Sequence, residues 1–214
     1  MVRTSIITDK LRMEGQEFVT AGELKKHCAA LGLDYGRAVH YLTKMRYLLR
    51  VFRGIFYVVP LEESRIGALG RYNQLELVAR GLGLKGVENW YFGLHTALKL
   101  NNMTHEYYVV DEVISDTLFR ANPVMIAGGR FRFVKLAPKL LGFGVRREGP
   151  YRYSDPEKTI LDFVYLWSYR GVPAGRIVMD VADWAGEASA DRIAEYSVHY
   201  PETVARIAAE VVPG

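Results

Sequence analysis

Between Asp34 and Val59 the apolar residues change their period, and few folds accommodate such a change over so short a length. Ala38, Leu42, Met45 and Leu49 step by four, three and four, which is one stripe of a helix, and Asp34 is well suited to cap its start. Arg37, His40, Tyr41 and Lys44 fall on the opposite face at the same spacings. From Leu49 onward the pattern alternates. Leu49, Val51, Phe56 and Val58 can line one side of a hairpin whose tight turn is Arg53-Gly54. A helix with a basic, aromatic-edged face, followed at once by a hairpin with arginine at its tip, reads as the recognition helix and wing of a winged helix-turn-helix. Such a helix suits the major groove of DNA.

Charge is distributed to match. Residues 1–60 hold ten Lys and Arg against five Asp and Glu, whereas the remaining chain holds 18 against 19. A basic head on a neutral body is the electrostatic pattern of a nucleic-acid-binding domain with a different partner behind it. At 214 residues the chain can form two small domains with real cores. Its single cysteine, Cys28, excludes an internal disulfide and occupies an apolar helix position, so a buried thiol is expected. Charged residues interrupt the first fifteen positions and no apolar run approaches the roughly 18 residues of a membrane span, so a cytoplasmic protein is expected.

Along the chain, Thr4–Met13 reads as a short helix, Phe18-Val19 as a short strand, and Thr20-Ala-Gly-Glu23 as a capping box opening a helix that turns Leu24, Cys28 and Leu31 inward. Residues 61–70, with Gly67 and Gly70, read as a linker, which sets domains of 1–64 and 65–214. Helices are expected over 73–82 and 91–101, strands over 107–110, 124–126, 130–136, 144–147 and 151–153, and helices over 156–169, 174–184, 190–199 and 202–212. The second domain is therefore α+β, with helices flanking a small antiparallel sheet. Gly81-Leu-Gly83-Leu-Lys-Gly86 has the glycine spacing of a dinucleotide site, but it follows a helix instead of a strand, so it reads as a helix C-cap and turn.

The most distinctive string is Ser154-Asp-Pro-Glu-Lys-Thr-Ile-Leu-Asp162-Phe. Ser154 with Glu157 can form a capping box, or Asp155 can cap with Pro156 at the first helical position. The following helix is apolar nearly all round and should be buried, with Lys158 and Asp162 four apart as an ion pair; a catalytic lysine–carboxylate pair is the rarer alternative. The string resembles the C-terminal domain of AbiEi-type antitoxins of abortive-infection toxin–antitoxin systems. Tyr91-Phe-Gly-Leu-His-Thr-Ala-Leu98 is similar to a second block of that family, and Arg50-Val-Phe-Arg-Gly-Ile-Phe-Tyr57 to its wing. One departure is Asn101-Asn102, where the family usually has histidine-glycine. The resemblance implies a winged-helix head that represses the operon's own promoter. It also implies a second domain that counters a nucleotidyltransferase-type toxin, directly or indirectly.

The five histidines and lone cysteine lack metal-ligand spacing, no glycine-x-serine-x-glycine elbow occurs, and no cofactor is expected. Gly128-Gly-Arg-Phe-Arg-Phe133 reads as a hairpin turn and exposed strand. The expectation is thus a non-enzymatic, double-stranded-DNA-binding antitoxin and repressor. Arg37, His40, Tyr41 and Lys44 would face the major groove, and Arg46, Arg50 and Arg53 would hold phosphate or minor groove. A pseudo-palindromic operator would point to a homodimer or to paired monomers. Two rivals are a winged helix that serves only protein interaction and a second domain that is an enzyme acting on the toxin or a nucleotide.

Overall fold

The computed structural model describes residues 2–61 and 71–212; the expected domain boundary near residue 65, with most of its linker, lies outside these. The described residues form nine α-helices and two sheets, of three and six strands, in an α+β architecture. Two compact units divide them: Met1–Gly86 with Ile126–Gly128, and Val87–Met125 with Gly129–Gly214.

In the first unit the order is α1 (Val2–Met13), β1 (Phe18–Thr20), α2 (Ala21–Ala30), α3 (Tyr35–Lys44), β2 (Leu48–Phe52), β3 (Ile55–Val58) and α4 (Gln74–Leu84). The expected capping box is present, with Thr20 Oγ1 accepting from Glu23 N–H and the Thr20 N–H donating to the Glu23 carboxylate. Asp34 caps α3 by accepting from Arg37 N–H at 2.8 Å. The antiparallel sheet runs β1-β3-β2, so the hairpin's return strand is central. Ile7, Leu11, Leu24, Cys28, Ala38, Leu42, Leu48, Phe56 and Val58 form the core beneath it. Each large aliphatic side chain there contributes about 1.5–3 kcal/mol of apolar transfer.

Two details differ from the periodicity. The stripe Ala38-Leu42-Met45-Leu49 is helical only through Leu42: α3 ends at Lys44, Met45 is exposed, and Leu49 belongs to β2. Arg46 N–H donates to Thr43 O and Tyr47 N–H to Leu42 O, the paired bonds of a Schellman ending. Within the hairpin the inward residues of β2 are Leu48 and Val51, three apart, not Leu49 and Val51. A register shift between Arg50 and Phe52 explains this, because Val51 is an extra residue and a bulge reverses the alternation. Of the glycines in this stretch, Gly81 is packed, since its Cβ would lie 2.6 Å from Val51 Cγ1, and Gly86, at φ 73°, takes the left-handed position that ends α4.

The second unit contains β4 (Trp90–Phe92), α5 (Leu94–Leu100), β5 (Val110–Ser115), β6 (Arg120–Ile126), β7 (Gly129–Lys135), β8 (Val145–Glu148) and β9 (Tyr151–Ser154). Helices α6 (Pro156–Tyr169), α7 (Ala174–Ala182), α8 (Ala190–Ser197) and α9 (Glu202–Val211) follow. The expected small antiparallel sheet is instead a mixed six-stranded one, ordered β6-β7-β5-β4-β9-β8, with β5–β7 and β4–β9 parallel. The correction has two causes. The start of the expected 91–101 helix is a strand, β4, which supplies the sheet's middle. The tight turn at Ala127-Gly128, both residues at positive φ, folds β6 and β7 into a hairpin that inserts β7 beside β5. Leu94, Leu98, Ile114, Ile160, Leu161, Val164, Ile177 and Ile207 anchor the core against one face. Among the described residues no helix is long and apolar enough to cross a membrane.

Candidate nucleic-acid interface

Residues 35–60 contain five Lys or Arg and no Asp or Glu. Their placement follows from the local folding above. Arg37, His40, Tyr41 and Lys44 occupy successive turns of one α3 face opposite the buried Ala38, Val39 and Leu42. Arg37, His40 and Lys44 are exposed. Tyr41 is half-buried, its ring edge-on to Tyr47 at 6.4 Å, so it belongs partly to the core and partly to the outer face.

Arg46, Arg50 and Arg53 are also exposed. Arg50 lies directly opposite Phe56 in the hairpin register, and its guanidinium sits 5.5 Å from that ring's centroid, so the stem covers the core while the charge faces water. Arg53 occupies the hairpin turn next to Gly54, whose φ of 79° requires the left-handed region. Gly54 O accepts from Ala21 N–H at 2.8 Å, tying the turn to the start of α2 and fixing where Arg53 stands. Arg46 is at φ 56°, the left-handed position that ends α3. Glycine is usual there, and an L side chain costs about 1–2 kcal/mol. The cost falls on a cation between the helix face and the hairpin.

No carboxylate pairs with Arg37, Lys44, Arg46, Arg50 or Arg53 among the described residues. Elsewhere in the same unit some cations are matched, Lys10 with Glu14, Arg12 with Asp9, and Arg71 and Arg80 with Glu17, while Lys25, Lys26 and Lys85 are exposed without a carboxylate partner among the described residues. The α3–hairpin segment therefore concentrates unneutralised positive charge. Helical spacing turns Lys25 and Lys26 outward on α2, and the Lys25 Nζ stands 5.5 Å from the Tyr35 ring centroid at the start of α3. Only packing brings Lys25 to Tyr35.

The other chemistry-bearing string is buried. Asp155 is the cap of α6, accepting from Lys158 N–H at 2.9 Å, with Pro156 at the first helical position. Its other oxygen receives Arg192 Nη2 at 2.6 Å and the Tyr196 hydroxyl at 3.1 Å. Burial nevertheless pushes the Asp155 carboxyl above its ordinary pKa. Lys158 Nζ donates to Asp162 Oδ1 at 2.6 Å and to the Tyr200 hydroxyl at 2.7 Å. Tyr91 and Tyr200 donate to Asp162 Oδ2 and Oδ1, each at 2.8 Å. Lys158 and Asp162 are both 0 % exposed, and the rings of Tyr91, Phe143 and Tyr200 surround the ammonium at 5.0–5.3 Å. Burial lowers the lysine's pKa against the pull of Asp162, and raises both phenols well above 10. Gly144 is pressed against this group: at φ 61°, its Cβ would lie 2.7 Å from Lys158 Cβ. The geometry is that of a satisfied structural pair, with no face of the ammonium open to a substrate.

Asn101-Asn102 close α5. Asn102 sits at φ 57°, a left-handed helix ending that asparagine tolerates next best after glycine, while Asn101 Nδ2 donates to Ala97 O and Ser154 O at 2.8 Å.

The chain matches no family model and no curated protein. It is similar in fold to the crystal structure of the Rv2827c protein from Mycobacterium tuberculosis, at 13% identity and a TM-score of 0.63, over 99% of this chain and 76% of that one. At that identity the likeness concerns the fold alone.

Proposed function

We propose that the first unit is a winged helix-turn-helix that binds double-stranded DNA sequence-selectively, and that the protein represses its own promoter as an antitoxin of the AbiEi type. The observation that carries the DNA-binding reading is the acid-free segment of α3 and the hairpin, whose five exposed cations lack carboxylate partners among the described residues. In this reading Arg37, His40, Lys44 and the outer edge of Tyr41 meet base edges. Arg46, Arg50 and Arg53 meet phosphate or the adjoining minor groove. The second unit's part, countering a nucleotidyltransferase-type toxin, rests on the resemblance of its 154–163 and 91–98 blocks. The sealing of Lys158 by Asp162, Tyr200 and three rings argues against that lysine–carboxylate pair as a catalytic site.

The test is binding of the full chain to the DNA upstream of its own gene and to scrambled DNA across a salt series. Selective binding is expected, with log K falling against log salt at a slope of roughly −3, about −0.9 for each phosphate neutralised by Arg46, Arg50 and Arg53. Equal, salt-insensitive affinity for both DNAs would refute the reading and leave a protein-interaction module. Toxin neutralisation is tested by co-expression with the product of the neighbouring gene. Growth rescue that persists when the cations of α3 and the hairpin are replaced would separate the second unit's activity from DNA binding.

A further inference from the structure

The β8–β9 hairpin contains an arrangement that sheets ordinarily avoid. The register pairs Arg147 with Arg152 and Glu148 with Tyr151 across the tight turn at Gly149-Pro150. Arg147 and Arg152 are thus directly opposite one another and project from the same face, their Cβ atoms about 5 Å apart, a like-charge juxtaposition that destabilises a strand pair. No carboxylate pairs with either guanidinium among the described residues. Glu148, the nearest acid in sequence, lies on the other face, where it accepts from the Tyr153 hydroxyl at 3.0 Å. Arg146, also on that other face, donates to Asn101 Oδ1.

The two arginines are not equally free. Arg152 is half-buried: Nη1 donates to Glu88 O at 2.7 Å, and the guanidinium lies 5.6 Å from the Trp90 ring centroid. Arg147 is exposed, on a strand at the sheet's edge. Burial first, and the neighbouring Arg147 second, hold the Arg152 guanidinium's pKa below its ordinary value. A guanidinium held by Glu88 O and an exposed one, with no carboxylate partner among the described residues, make a fork that an oxyanion can close. Arginine pairs planar donors with phosphate oxygens two at a time, and the entropy lost is smaller when one fork is already held.

We infer that Arg147 and Arg152 form a phosphate-binding site on the second unit, separate from the α3–hairpin surface, for a phosphate group carried by a nucleotide or by a single-stranded polynucleotide. The like-charge repulsion is then relieved when the ligand is bound, and the empty site carries it. This gives the site an unusual property. Removing one arginine should stabilise the free protein and abolish its response to phosphate.

The experiment compares thermal unfolding of the full chain with that of Arg147→Gln, at matched ionic strength, in chloride alone and with added inorganic phosphate, a nucleoside triphosphate, or a short single-stranded oligonucleotide. Arg147→Glu, which places a carboxylate opposite Arg152, serves as the second variant. In chloride both variants should melt slightly above the parent. With phosphate-bearing ligand the parent's Tm should rise by several degrees, while the variants gain at least tenfold less in apparent affinity. A larger response to the triphosphate identifies a nucleotide, and a larger one to the oligonucleotide identifies a strand. Equal gains in parent and variants, or no gain in any ligand, would overturn the site. Neither result depends on operator binding by the first unit.

Discussion

The cations of α3 and its hairpin differ from the cation at the centre of the second unit in what surrounds them. Arg37, Lys44, Arg46, Arg50 and Arg53 are exposed and have no carboxylate partner among the described residues. Lys158 is sealed from solvent, with Asp162 and Tyr200 as partners and three rings around it. A charge held in water on a surface costs the fold little, so it can be left unmatched and available to an outside anion. A charge removed from water must be matched inside or the fold fails. Mutation should therefore affect ligand binding in the first region and stability in the second.

The largest effect is expected at Asp162→Ala, which would strand Lys158. Unfolding in urea should show a loss of about 3–5 kcal/mol, while Lys158→Met combined with Asp162→Leu should recover only part of it, because the Tyr91 and Tyr200 hydroxyls are left without their acceptor. A loss no larger than that of a surface substitution would break the comparison. The same network sets the alkaline limit. Tyr91 and Tyr200 have folded pKa values well above the ordinary 10, so their contribution is complete below 10 and is lost as pH rises towards those values. Lys158 acts in the opposite sense: between its lowered pKa and 10.5 the unfolded chain binds more protons, so its contribution to stability rises with pH. Tyrosinate absorbance from these two phenols should consequently appear together with unfolding, not before it.

On the exposed side, Arg37→Ala should cost about 1–3 kcal/mol on the preferred DNA and little on other sequences. An equal loss on every sequence would remove its base-reading role. Arg50→Gln with Arg53→Gln should flatten the salt slope by roughly two units and change stability by no more than about 0.5 kcal/mol. Arg46→Gly is the most discriminating small effect. It should stabilise the protein by up to about 1 kcal/mol by relieving a left-handed side chain, while weakening DNA binding. Weaker binding together with lower stability would mean that Arg46 supports the fold and not the DNA.

Much of this was legible along the chain. Asp34, Thr20-Glu23 and Asp155-Pro156 announced helix starts because a cap is a contact between residues three apart, and Arg53-Gly54 announced a turn because φ is a local property. The face of Arg37, His40, Tyr41 and Lys44 followed from helical spacing alone. The Lys158–Asp162 pair could be expected from i,i+4 geometry; its completeness could not, because Tyr91 and Tyr200 lie 71 and 38 residues from Asp162. The Arg147–Arg152 pair was not legible, because the expected strands over 144–147 and 151–153 left a three-residue loop, whereas the strands meet across two residues and so pair Arg147 with Arg152.

By itself, then, the sequence determined where helices begin, where the chain turns, which stretch is free of acids and which helix is too apolar to be exposed. These depend on neighbours within a few positions. Only the tertiary structure decided that Val51 bulges, that residues 90–92 are a central strand, that the second sheet is mixed and that Lys158 is fully enclosed. Strand pairing and the burial of charge join residues tens of positions apart, and local periodicity does not encode those distances.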